Sequence, residues 1–122
     1  MRKIVVVCLA LALTFGFAAV AGAQKAAPEK VTVTGEVIDL YCYTTAGERG
    51  LGHKACAIAC AQKGIPVGLL EKGTDKIYIL LPDKKDTPIP AWVINKCGEE
   101  ITVTGQKYLT GGDTFLTIES FK

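Results

Sequence analysis

Apolar and polar side chains alternate along residues 31–43, a segment that is also rich in β-branched residues. A period of two with this composition predicts a β-strand. Gly35 in its middle predicts a bulge or sharp bend, the feature that lets one long strand serve two parts of a curled sheet. The sequence V-T-V-T-G at residues 31–35 is closely repeated as I-T-V-T-G at residues 101–105. We therefore expect a second strand of the same kind over residues 99–108.

The remaining apolar runs predict three further strands and two short helices. The strands are apolar or β-branched runs bounded by turn residues, and we expect them at residues 65–70, 76–81 and 115–121. The first two flank a short polar turn, as the strands of a β-hairpin do. The helices are runs that end at a glycine, and we expect them at residues 53–63 and 91–97. The polar residues 44–52 contain three glycines and are predicted to form a loop.

Five strands with a helical insertion predict a mainly β domain, a small and partly open Greek-key barrel of the OB-fold type with one or two short helices. An up-and-down sandwich is the alternative. The chain resembles small exported bacterial OB-fold proteins in which two V-x-V-x-G strands begin and end the barrel, here residues 31–35 and 101–105, and a Cys/His-containing helix follows strand 1. The resemblance implies a fold, and function has to be argued from the site.

The N-terminal residues are typical of a secretory signal peptide. Basic residues Arg2 and Lys3 precede an apolar run over residues 4–20, and small residues up to Ala23 follow. We expect cleavage after Ala23. A retained membrane anchor is the alternative, but the run is short for a transmembrane helix and has no basic residue directly after it.

The expected organisation is a signal peptide at residues 1–23, a polar leader at residues 24–30 and one domain at residues 31–122. The mature protein is then expected to be periplasmic or secreted, without a membrane anchor after cleavage. Nothing in the sequence indicates an oligomeric state.

The charge balance argues against nucleic acid as a partner. The chain has 14 basic and 12 acidic residues, and loss of Arg2 and Lys3 with the signal peptide leaves 12 of each. A neutral domain with scattered charges has no basic surface for a phosphate backbone.

Potential metal ligands are concentrated in the segment C-x10-H-x2-C-x3-C, formed by Cys42, His53, Cys56 and Cys60. Side chains three and four residues apart project from one face of a helix, and the loop after Cys42 is long enough to bring its thiol to that face. Thiolate and imidazole ligands suit zinc or copper. The spacing therefore predicts a soft-metal or redox-sensitive site in a small exported binding protein.

The same cysteines also allow a structural interpretation. An exported protein meets an oxidising compartment, and the mature chain would hold four cysteines, an even number, with Cys97 as the fourth. The sequence does not choose among the possible pairings. The alternative function is a disulfide-stapled OB-fold interaction module that binds a peptide, glycan or protein partner without metal.

Catalysis has less support than binding. His53 and Cys56 lie within one helical turn and form a candidate base and nucleophile, but the sequence offers no obvious acid to orient the imidazole. His53 could instead cap a helix at the surface. The C-x2-C-H motif for covalent haem attachment is missing, and haem bound by His53, alone or with a cysteine as second axial ligand, is a less supported alternative. The sequence therefore favours binding over catalysis, without deciding whether the protein is an enzyme.

Overall fold

The computed structural model describes Gly22 and residues 25–122. The predicted signal peptide and its cleavage position lie, apart from Gly22, outside the described residues. The elements in chain order are β1 (Glu29–Asp39), α1 (Leu40–Ala46), a 3-10 turn (Leu51–His53), α2 (Lys54–Gln62), β2 (Val67–Glu71), β3 (Ile77–Pro82), α3 (Ala91–Ile94), β4 (Glu100–Thr110), β5 (Asp113–Ile118) and β6 (Ser120–Phe121). None of the helices in this part of the chain has the length and apolar character to cross a membrane.

Five strands close into a barrel in the order β1-β2-β3-β5-β4, and β4 pairs again with β1. The β3–β5 pair is parallel and the other pairs of the barrel are antiparallel. The short β6 adds to β4. The predicted mainly β, OB-like five-stranded barrel is thus confirmed, with one extra strand and three short helices instead of one or two.

The barrel closes where β1 changes partners. β1 pairs with β4 from Glu29 to Glu36 and with β2 from Gly35 to Asp39. A Cβ atom at Gly35 would overlap the backbone carbonyl of Leu70 in β2, so only glycine fits this approach. The prediction that Gly35 lets one strand serve two parts of a curled sheet is confirmed.

Side chains at the inward-facing, alternate positions of the strands fill the interior of the barrel. Buried side chains from several strands form one cluster, which includes Val33, Val37, Leu69, Leu80, Val103 and Leu116. Ala57 and Ala61 of α2 and Val93 of α3 pack against the same cluster. The helix α2 is therefore held on the barrel by Ala57 and Ala61, and Ala55, Cys56 and Ala59 remain exposed at the surface.

The prediction of a strand up to residue 43 is wrong beyond Asp39. The Asp39 side chain accepts a hydrogen bond from the backbone N–H of Cys42 at 2.8 Å, and this N-cap starts α1. Cys42 therefore lies in a helix and not at the end of a strand.

The boundary of the predicted polar leader also shifts, because β1 already begins at Glu29 and pairs there with Lys107 of β4.

The helix predicted at residues 53–63 is confirmed as α2, which a 3-10 turn precedes. The loop predicted at residues 44–52 is wrong at its start, because α1 extends to Ala46. α2 ends at Gln62, and Gly64 just beyond it adopts a φ of 93°, which favours glycine. The β2–β3 hairpin is confirmed, and the second predicted helix is a single turn, α3.

Candidate metal centre

The loop before α2 is fastened to β1, and this fixes the position of His53. Arg49 donates hydrogen bonds to Glu36 at 2.6 and 2.9 Å, and the backbone N–H of Gly50 donates to the same carboxylate. From the other side, a Cβ at Gly98 would lie 2.5 Å from the Gly50 carbonyl oxygen. The loop thus rests on the backbone after α3, and His53 is brought over the end of β1.

Asp39 and His53 form the inner part of the site. His53 Nε2 lies 3.0 Å from Asp39 Oδ2, and the Asp39 side chain is fully buried while that of His53 is 12% exposed. The other Asp39 oxygen caps α1. His53 precedes α2 but makes no side-chain capping bond. The interpretation of His53 as a surface cap is therefore wrong, and Asp39 is an acid beside the imidazole that the sequence did not make evident.

The four predicted ligands come together in one cluster. The ligand atoms of Cys42, His53 and Cys56 all lie within 4.8 Å of one another, and so do those of Asp39, Cys42 and Cys60. Cys42 belongs to both groups. The residues present are therefore suited to hold a metal ion, since thiolates and imidazole are ligands of zinc and copper.

Exposure differs strongly among the thiols. Cys56 is exposed, Cys42 and Cys60 are partly buried, and Cys97 is fully buried. Cys97 belongs to the hydrophobic core, and its backbone pairs with that of Val37 of β1 in an isolated β-bridge. It is in neither ligand group. All four cysteines within residues 25–122 are free thiols. Cys97 therefore contributes to packing, and the cluster is open to solvent at Cys56.

The surroundings favour protonated thiols where no ion is bound. Burial, followed by the hydrogen bond to Asp39, raises the pKa of Cys42 to about 12. Burial also raises the pKa of Cys60 above its ordinary value. In Cys97, burial raises the pKa to about 11. Because the thiolate is the form that coordinates a metal, binding of an ion would have to displace these protons.

These differences predict an order of alkylation. In metal-free, reduced protein at pH 8, we expect Cys56 to react with iodoacetamide first, because its thiol is exposed. Cys42 and Cys97 should react at least about tenfold more slowly, because a raised pKa leaves little thiolate at that pH. Peptide mass mapping over time measures the order. Modification of Cys97 as fast as Cys56 would contradict it.

Asp39 is the functional residue that the sequence analysis missed. Its signal was the spacing D-x-x-C, in which an Asp three residues before Cys42 can cap a helix through the Cys42 N–H. The contact with His53 joins residues from two separate elements and has no local signature. Glu48 also approaches the ring, with Oε2 at 3.8 Å from His53 Nδ1, but its side chain is 58% exposed.

Comparison of the chain with protein-family models, curated proteins and solved structures gave no match. The function is therefore argued from the geometry of the cluster itself.

Proposed function

We propose that this protein is a small exported binding protein that takes up one thiophilic metal ion, zinc or copper, in the cluster of Cys42, His53, Cys56 and Cys60. The observation that supports the proposal is the convergence of two three-ligand groups on the Cys42 thiol. Sulfur and imidazole ligands favour such an ion over calcium or magnesium, which prefer oxygen ligands.

The pairing of His53 with a buried carboxylate supports the same function. Histidines that bind metals commonly donate their second ring N–H to a carboxylate, which fixes the tautomer and orients the ring. Asp39 Oδ2 is placed to accept this bond from Nε2 at 3.0 Å. His53 Nδ1 is then the nitrogen with a free lone pair for the ion, and the thiolates complete the set.

Binding without turnover fits the placement of the site. The cluster lies beside the barrel on α1 and α2, and none of its three thiols belongs to the hydrophobic core. The ion is therefore not needed to build the barrel, unlike the zinc of a domain that has no other core. A bound ion would also protect neighbouring thiols from oxidation in the compartment that the signal peptide predicts.

Native mass spectrometry of the signal-cleaved protein, purified without chelators, tests the proposal. We expect one zinc or copper ion per chain and four alkylatable thiols after unfolding. The double variant Cys56→Ser/Cys60→Ser should lose the ion, because each of the two three-ligand groups loses a thiol. The matched control is Cys97→Ala, which removes a thiol outside the ligand groups and should retain the ion.

The alternative function gives a different result in the same measurement. A disulfide-stapled interaction module would show a metal-free mass lowered by the hydrogens of two disulfides, and no alkylation without a reductant. That outcome, or undiminished metal affinity in the double variant, would overturn the proposed function.

A further inference from the structure

The ligand atoms of the site form two sets of three that share one member. One set consists of Cys42, His53 and Cys56, and the other consists of Cys42, Asp39 and Cys60. Among the described residues, no four thiol and imidazole atoms lie within 4.8 Å of one another. In a tetrahedral zinc site, metal–ligand distances of about 2.0–2.3 Å put all four donors within about 3.3–3.8 Å of each other. The arrangement therefore lacks the spacing of a closed four-ligand site.

The thiol of Cys60 has contacts apart from any bound ion. Its sulfur lies within 4.8 Å of the Cys42 sulfur and of an Asp39 carboxylate oxygen, its thiol also interacts with the Cys56 thiol, and the residue is partly buried. Cys60 also lies one helical turn beyond Cys56, toward the C-terminal end of α2, whereas His53 directly precedes the helix. The thiol that would complete a four-coordinate set with His53 thus belongs to the other three-ligand group.

The outer set is accessible from solvent. Cys56 is exposed, and the glycine-containing loop before His53 lies at the surface with Leu51, which is 71% exposed. An ion held by Cys42, His53 and Cys56 would therefore meet solvent on its Cys56 side. Metal sites with three protein ligands keep such a fourth position open for water or an incoming ligand.

We infer that Cys42, His53 and Cys56 form an open three-ligand site whose fourth position takes a thiolate from outside the protein, so that the ion can pass to or from the cysteine of a partner. This inference rests on the proposed function and specifies which residues of the cluster bind the ion. The incoming thiol loses its proton as its sulfur binds the ion, and the exposed Cys56 takes up a proton as its sulfur leaves. No electrons are transferred. Cys60 is not a ligand and supports Cys42.

Cobalt(II) loading tests the ligand set, because the intensity of sulfur-to-cobalt charge-transfer absorption increases with the number of bound thiolates. We expect native protein and Cys60→Ser to have the same intensity, that of two thiolates. The Cys56→Ser variant should lose about half of it and bind cobalt at least about tenfold more weakly. Cys97→Ala serves as the control and should match the native protein.

Addition of a small monodentate thiol, 2-mercaptoethanol, tests the open position. We expect it to raise the charge-transfer intensity by about half in both native protein and Cys60→Ser, as a third sulfur binds. A closed site would give a native spectrum that does not respond to the thiol and a Cys60→Ser spectrum reduced by about a third. That result overturns the open site and leaves metal binding intact. Failure of the native protein to bind cobalt, zinc or copper would overturn both.

Discussion

Replacing Asp39 with asparagine should weaken metal binding by about 10- to 100-fold while the barrel stays folded. The asparagine has one carbonyl oxygen where the aspartate has two acceptor oxygens. If it keeps the hydrogen bond from the Cys42 N–H, its amide group faces His53 Nε2 as a donor. The imidazole then has to carry its proton on Nδ1, and the nitrogen that should face the ion is blocked.

The substitution separates the effect on His53 from an effect on folding. Asparagine is as good an N-cap as aspartate, so α1 should still begin at Leu40. Competition with a chromophoric chelator measures the affinity, and a thermal melt of the metal-free protein measures the fold. Glu48→Gln is the matched control, since Glu48 lies near the same ring but is mostly exposed, and it should change affinity by less than about threefold. Equal affinity in Asp39→Asn and the native protein would contradict a role for Asp39 in orienting His53.

Replacing Gly105 with alanine should lower the free energy of unfolding by about 2–4 kcal/mol. A Cβ at this position would overlap the backbone carbonyl of Thr117 in β5. Gly105 also pairs with Val31 of β1 in the closing ladder of the barrel. Backbone atoms of two paired strands have to separate to make room, and a backbone cannot rotate away as a flexible side chain can.

Chemical denaturation of the metal-free protein checks this value. Gly52→Ala is the control, because a Cβ there meets no atom within 4 Å and Gly52 does not adopt a positive φ. It should change stability by less than about 1 kcal/mol. If Gly105→Ala were as stable as Gly52→Ala, the close approach of β4 and β5 at Gly105 would be wrong.

The alternation of side chains was sufficient to predict most strands, because a strand with one buried face has a period of two whatever lies next to it. It failed at Tyr41, Cys42 and Tyr43, where the same alternation continues through a helix. The helix forms there because Asp39 caps it and because the Leu40 N–H donates to the Pro66 carbonyl at 2.9 Å. The second of these bonds joins residues that are distant in sequence, so no local pattern indicates it.

The spacing of His53, Cys56 and Cys60 was sufficient to predict that they lie together, since helical geometry alone puts such residues on one side of α2. Placing Cys42 with them required only a loop of adequate length. The sequence could not decide whether Cys97 joins them, because a cysteine packs equally well in a core or in a ligand set. The structure buries it beside Val37.

The sequence by itself determined the positions of most strands and of the main helix and the identity of the four candidate ligands, because these depend on the order of neighbouring residues. Only the tertiary structure decided the closure of β1 on β4, the contact of Asp39 with His53 and the division of the ligands around Cys42. The contact of Asp39 with His53 and the grouping of the ligands depend on how the end of β1 lies against the start of α2. That arrangement is fixed by Glu36 holding the loop at Arg49 and Gly50, a contact between segments that become neighbours only when the barrel has folded.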